Sequence, residues 1–234
     1  MKRNWTMRVA VLMAVLALVT SCFVGGTFAK YVAKDEVNAT ARVAKFGVVV
    51  TPSADKMFAT EYEKHDTSFT LAANTVVSSN SDRLVAPGTN GKLAAFTFTG
   101  EPEVAVRVSF KVEDGDIELT NWRVEGDAYY CPLIVTVGTT ELKGMDYTSE
   151  DEFAEAIKDA INALEKDVEA NTDLSTIDLD EEITWEWPFE TGANETEIAA
   201  NDINDTFLGD KAAANLADAG TISLKITCAV TQID

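Results

Sequence analysis

The stretch Val104-Ala-Val-Arg-Val-Ser-Phe-Lys-Val112 places a large apolar side chain at every second position. A period of two is typical of a β-strand that buries one face and leaves the other in solvent. The same period recurs over residues 183–189 and 222–230. Further candidate strands cover residues 41–51, 68–72, 93–99, 118–124 and 130–137. The sequence therefore predicts a mainly β domain, with about eight short strands in a two-sheet β-sandwich or jelly roll.

One segment has helical periodicity instead. Its apolar residues recur every three or four positions, and Ser149 followed by Glu152 is a capping box at its start. These apolar residues are Phe153, Ala156, Ile157, Ala160, Ile161, Leu164 and Val168. We predict one amphipathic helix inserted over residues 149–169, followed by an acidic loop to Asp180.

The first 29 residues have the features of an export signal. A positive start (Lys2, Arg3 and Arg8) precedes an uncharged run from residue 9 to residue 29. Thr27 and Ala29 are the small residues that a signal peptidase requires, which predicts cleavage between Ala29 and Lys30. The chain then divides into a signal peptide (1–29), an N-terminal extension (30–40) and one domain (41–234).

Two alternatives to cleavage stay open. The uncharged run is long enough to cross a bilayer as a retained signal anchor. Val19-Thr-Ser-Cys22 resembles a lipobox, in which Cys22 would be the lipidated residue. All three outcomes predict a secreted or cell-surface protein. After export, the protein would stay attached to the membrane only if the leader is uncleaved or lipidated.

The charge balance narrows the classes of partner. Nineteen basic residues against 39 acidic ones give a net charge of −20, which becomes −23 when removal of the signal takes away three basic residues. Such a chain has no basic surface for a nucleic acid. Self-repulsion also opposes close packing of identical copies unless cations, low pH or backbone pairing offset it.

Catalytic chemistry has little support in the sequence. His65 is the one histidine, and no Ser-His-Asp set, HExxH motif or glycine-rich phosphate loop is present, so we predict no enzyme and no cofactor. Calcium stays open as an alternative, because carboxylates cluster at residues 113–118, 178–182 and 201–205. None of these clusters matches the twelve-residue calcium loop.

Two cysteines and three tryptophans each allow two interpretations. Cys131 and Cys228 share strand faces with apolar residues, which is compatible with buried thiols or with a disulfide in an oxidising compartment. Trp122, Trp185 and Trp187 either fill the core or form a stacking platform for sugars. The second interpretation would make the protein a cell-surface adhesin or glycan-binding module.

Several short motifs resemble one family. Val24-Gly-Gly-Thr-Phe-Ala-Lys-Tyr31, followed by Ala41-Arg-Val-Ala-Lys-Phe-Gly47, resembles the amino terminus of TasA/camelysin-type proteins, which Gram-positive bacteria export with a SipW-dependent signal peptide. Supporting similarities occur at Val85-Ala-Pro-Gly88, Ile183-Thr-Trp-Glu-Trp-Pro-Phe-Glu190, Asn204-Asp-Thr-Phe-Leu-Gly209 and residues 222–234.

This resemblance implies a jelly-roll subunit of an extracellular fibre in a biofilm matrix. Its partners would be a signal peptidase during export and further copies of itself. Members of the family can polymerise when an N-terminal strand pairs with the next subunit. The matching donor residues here would be Lys30, Tyr31, Ala33 and Val37, with Lys34-Asp-Glu36 as a charged interruption.

Overall fold

A computed structural model describes residues 42–52, 57–58, 61–63, 74–78, 83–94, 96–177 and 183–233. The chain separates into two compact units, Met1–Val43 and Ala44–Asp234. The signal segment, the extension over residues 30–40 and His65 lie outside the described residues. The account below concerns the second unit.

The second unit is mainly β, as the sequence predicts. Its described strands are β1 (Val49–Pro52), β2 (Glu61–Glu63), β3 (Asn74–Val77), β4 (Thr89–Lys92), β5 (Phe96–Thr99), β6 (Val106–Lys111), β7 (Ile117–Thr120), β8 (Ile134–Val137), β9 (Thr140–Lys143), β10 (Glu165–Val168), β11 (Ile183–Trp187), β12 (Thr221–Leu224) and β13 (Thr227–Gln232). Two α-helices, α1 (Glu150–Asn162) and α2 (Glu195–Ala214), accompany them.

Every pairing between these strands is antiparallel. The two larger sheets have the strand orders β4-β11-β8-β9 and β10-β6-β13, and three further pairs are β1-β5, β7-β12 and β2-β3. Several antiparallel sheets around one apolar core are consistent with a β-sandwich.

Strand β6 confirms the alternation that predicts the fold. Val106, Val108 and Phe110 are buried on one face, and Arg107 on the other face binds Asp167 of β10. Strands β10 and β13 pair with β6 on its two sides. The predicted strand is therefore the centre of its sheet, with both hydrogen-bonding edges occupied.

Helix α1 begins where the capping box predicts. The Ser149 hydroxyl accepts a hydrogen bond from the Glu152 backbone N–H at 3.2 Å, and the helix buries Phe153, Ile157 and Ile161. The helix packs against β6, β7, β8 and β9. Helix α1 therefore closes the core between the two larger sheets.

The predicted helix over residues 149–169 is too long. Helix α1 ends at Asn162, and Glu165–Val168 forms strand β10, which pairs with β6 and buries Val168. Leu164 and Val168 continue the spacing of a helix, but pairing with an otherwise open edge of β6 determines the local structure. The loop predicted after residue 169 contains no strand or α-helix over the described residues 170–177, where Leu174–Thr176 forms a short 3-10 turn.

Helix α2 is absent from the sequence-based prediction. It begins at the side chain of Asn194, which accepts hydrogen bonds from the backbone N–H groups of Thr196 and Glu197. Its apolar residues do not form a continuous stripe, and Leu208 is its one buried apolar side chain, so periodicity gives little signal. Neither described helix combines the length and the apolar composition needed to cross a membrane.

Two other predicted strands differ from the observed ones: one is divided in two, and the other is shorter. Residues 222–230 do not form one strand, because Lys225 and Ile226 separate β12, which pairs with β7, from β13, which pairs with β6. Strand β11 ends before Pro188, and the Phe189 ring lies against Gly88 with 59% of its surface exposed. Phe189 therefore does not continue the buried face of Ile183, Trp185 and Trp187.

The packing of α1 is testable with two matched isoleucines. Ile157→Ala removes a fully buried side chain and should lower the free energy of unfolding by about 2–5 kcal/mol. Ile203→Ala on α2, where the side chain is 70% exposed, should change it by about 0.5 kcal/mol or less. Urea unfolding followed by circular dichroism measures both, and equal losses would contradict the docking of α1.

Candidate functional site

The three tryptophans that suggested a glycan platform are buried. Trp122, Trp185 and Trp187 are 1%, 2% and 5% exposed. Trp122 packs against Trp187 with ring centroids 5.6 Å apart, and its indole N–H donates to the Thr221 carbonyl at 2.8 Å. A sugar stacks on an accessible ring face, which none of these three residues provides. Their position supports the core interpretation.

Both described cysteines are free thiols. Cys131 is fully buried beside Gly144, and Cys228 is half-buried on β13. Burial raises the pKa of each thiol to about 12. In the structure Cys131 and Cys228 are therefore separate thiols and are not joined by a disulfide.

The acidic cluster at residues 113–118 is occupied by lysines. Asp114 accepts from Lys158 of α1 at 2.8 Å, which lowers the pKa of the Asp114 carboxyl, and Asp116 binds Lys225 at 3.1 Å. The cluster at 178–182 lies outside the described residues. Across the described part of the chain, no three acidic, cysteine or histidine side chains are grouped in a way that could hold a metal ion.

The edges of the two larger sheets differ in length and charge. Strand β10 carries Glu165, Lys166 and Asp167, β9 carries Glu141 and Lys143, and β4 carries Lys92. Charged residues on edge strands discourage pairing with another chain. Strand β13 (Thr-Cys-Ala-Val-Thr-Gln) has no charge and no proline. It has six residues, whereas every other edge strand among the described residues has three or four.

The direction of each backbone amide on β13 follows from its register. The Ile233 N–H donates to the Ala105 carbonyl at 3.0 Å, in line with the β13–β6 pairing. Because successive residues of an antiparallel strand alternate in direction, Ala229 and Thr231 point toward β6. Cys228, Val230 and Gln232 therefore direct their backbone N–H and C=O groups away from it.

This outward edge pairs with no described strand. Strand β1 lies close to β13, but it is hydrogen-bonded to β5 instead. On β13 the side chains of Cys228 and Val230 are half-buried toward the core, whereas those of Ala229 and Thr231 are exposed. The arrangement offers three backbone donor–acceptor sites to an extended segment, with alternating apolar and polar side chains beside them.

A second feature joins α2 to the core. Asp205 accepts hydrogen bonds from the Tyr130 hydroxyl at 2.8 Å and from the Trp187 indole N–H at 3.3 Å. Burial raises the pKa of the Asp205 carboxyl, both hydrogen bonds oppose the rise, and the charge of Asp202 adds to it. Asn201 completes the attachment by donating to the Thr191 carbonyl at 2.7 Å.

Comparison with known proteins adds no relative to this description. No family model matches the chain, and no similar sequence or fold was found among curated proteins or solved structures. The relationship to TasA/camelysin-type proteins that the short motifs suggest therefore stays a prediction.

Sequence reasoning found some of these features and missed others. The alternation of residues 222–230 includes β13, but its position at a sheet edge depends on pairings distant in the sequence. Asp205 belongs to a predicted acidic cluster, and only the fold places it against Tyr130 and Trp187. The cleavage residues Thr27, Ala29 and Lys30, the donor residues Tyr31, Ala33 and Val37, and Cys22 lie outside the described residues.

The free thiols predict slow alkylation. In the native state at pH 8, iodoacetamide should modify Cys131 more slowly than Cys228 because Cys131 is fully buried, and both more slowly than free cysteine because their pKa is raised. Unfolding in urea should make the two rates equal. Mass spectrometry measures both rates, and an unreduced protein lighter by two hydrogen atoms would reveal a disulfide instead.

Proposed function

We propose that this protein is an exported structural subunit of an extracellular fibre or surface layer, with the strands arranged as a jelly roll. Copies assemble when an extended segment of one subunit adds to the open edge of β13 in the next. The observation that carries the proposal is the long, uncharged edge of β13 beside sheets whose other edges are charged or short.

Backbone pairing suits a chain with this charge. A net charge of −23 on the chain without residues 1–29 makes side-chain contact between identical surfaces unfavourable. Hydrogen bonds between main chains do not depend on side-chain charge, and β13 brings no charge of its own to the contact. Strand addition at β13 therefore places the contact on an acceptor edge that adds no negative charge of its own.

The N-terminal extension supplies the donor in this proposal. Cleavage after Ala29 would give a mature chain that begins at Lys30. Its first short segment then contains the proposed donor residues Lys30, Tyr31, Ala33 and Val37. The resemblance to fibre-forming exported proteins supports this assignment. Because successive side chains of an extended strand point to opposite faces, Lys34 and Glu36 would face solvent, whereas Asp35 would share the face of Tyr31, Ala33 and Val37.

Two mature chains test the proposal, one starting at Lys30 and one at Ala41. We expect the longer chain to form large assemblies, more readily at 0.5 M salt or at pH 4.5, because screening and protonation reduce the repulsion between carboxylates. The shorter chain should stay monomeric. Size-exclusion chromatography with light scattering and electron microscopy gives the readout. Monomers from both chains at pH 4.5 to 7.5, with and without calcium, would contradict the proposal.

The β13 edge is testable by a proline at its outward position. Gln232→Pro removes one outward N–H and leaves the ladder to β6 intact, since Gln232 does not donate to β6. Assembly should slow by about tenfold or more, because a hydrogen bond of about 1 kcal/mol is lost and the ring obstructs an incoming strand. Gln232→Ala, which keeps the N–H, is the matched control and should assemble like the native chain.

The unfolding midpoints of both variants should stay close to that of the native protein, which separates an effect on the edge from an effect on the fold. Equal assembly rates for Gln232→Pro and Gln232→Ala would place the contact elsewhere on the subunit.

A further inference from the structure

A cavity of about 400 Å³ lies between α2 and the segment of residues 83–87. Its walls are mostly apolar, with contributions from Leu84, Val85, Leu208 and Leu216. Trp122 and Trp187 also line it, and Asp205 is the acidic residue among the lining residues. A volume of this size is within the range of small-molecule sites in proteins.

The carboxylate of Asp205 has hydrogen-bond donors but no cationic partner among the described residues. Tyr130 and Trp187 each donate one hydrogen bond to it, one to each oxygen. Of the charged groups around it, Asp202 makes the site more negative. A carboxylate has about four acceptor positions, so two remain for a ligand.

Arg83 lines the same cavity but is directed elsewhere. Its guanidinium donates to the backbone carbonyls of Met57 and Phe58 at 2.9 and 3.1 Å. It is not among the charges that shift the pKa of Asp205. The cavity therefore combines apolar walls with one carboxylate that no basic side chain in the described part of the chain neutralises.

We propose that this cavity binds a small organic cation, in which a protonated primary amine is attached to an apolar body. The ammonium group donates to the free acceptor positions of Asp205, and the apolar body replaces water against Leu84, Val85 and Leu208. Trp122 and Trp187 line the cavity but are 1% and 5% exposed, so they offer little ring surface on which a sugar could stack. This binding is a property of the single subunit and is independent of fibre assembly.

The probe for the test is 2-phenylethylamine, which is protonated at pH 7, and its neutral counterpart is 2-phenylethanol. Titration into the mature protein should shift the indole N–H signal of Trp187 in a ¹H–¹⁵N NMR spectrum, because that group donates to Asp205. The shift should saturate at millimolar amine or below. The alcohol, which has no positive charge, should bind at least about tenfold more weakly.

Two substitutions locate the site. Asp205→Asn removes the charge and should weaken amine binding about tenfold to a hundredfold, whereas Asp210→Asn, an exposed residue on the same helix, should leave it unchanged. Ala212→Leu fills the cavity and should weaken binding of the amine while Asp205 stays in place. The latter variant keeps the test decisive if Asp205→Asn does not fold.

The pH dependence gives a measurement on the native protein. Binding should decrease as the pH falls through the raised pKa of Asp205, because the neutral acid loses its attraction for the ammonium group. The ionisable neighbours of Asp205 are Asp202 and Tyr130, and Arg83 lines the same cavity. No saturable shift with the amine, equal binding of the alcohol, or equal binding by Ala212→Leu would each overturn the proposal.

Discussion

The fold depends on the burial of one face of β6. Val106, Val108 and Phe110 turn toward the core, and helix α1 packs against this strand. Phe153, Ile157 and Ile161 of α1 are fully buried. Strands β10 and β13 satisfy the backbone of β6 on both sides. Because β6 takes the central position, β13 becomes an edge of the sheet, and the features that suggest assembly follow from that placement.

Negative charge imposes the second constraint. Several of the few basic residues form ion pairs between neighbouring elements. Arg107 of β6 pairs with Asp167 of β10, and Lys158 of α1 pairs with Asp114 in the turn after β6. Arg123 pairs with Glu150 at the start of α1. These pairs leave the acidic surface in excess. In the proposed assembly, an uncharged edge such as β13 adds no charge of its own to the contact between two copies.

The sequence predicted the strands whose alternation is strong and whose faces are clearly divided. Residues 106–111 and 183–187 and the beginning of α1 are confirmed because local pattern and burial agree there. The prediction was wrong where long-range contacts decide the structure. Glu165–Val168 joins β6 despite its helical spacing, and α2 is held by Asn201, Asp205 and Leu208, three residues that form no recognisable stripe.

The candidate sites were less accessible to sequence reasoning than the strands. An edge is defined by what a strand does not pair with, and the cavity at Asp205 is formed by segments far apart in the chain.

Amide hydrogen exchange of the mature protein before and after assembly tests the central claim most directly. The account predicts that the amides of Cys228, Val230 and Gln232 exchange rapidly in the monomer and become protected in the assembly, while those of Ala229 and Thr231 are protected in both. Assemblies in which those three outward amides still exchange rapidly would contradict it.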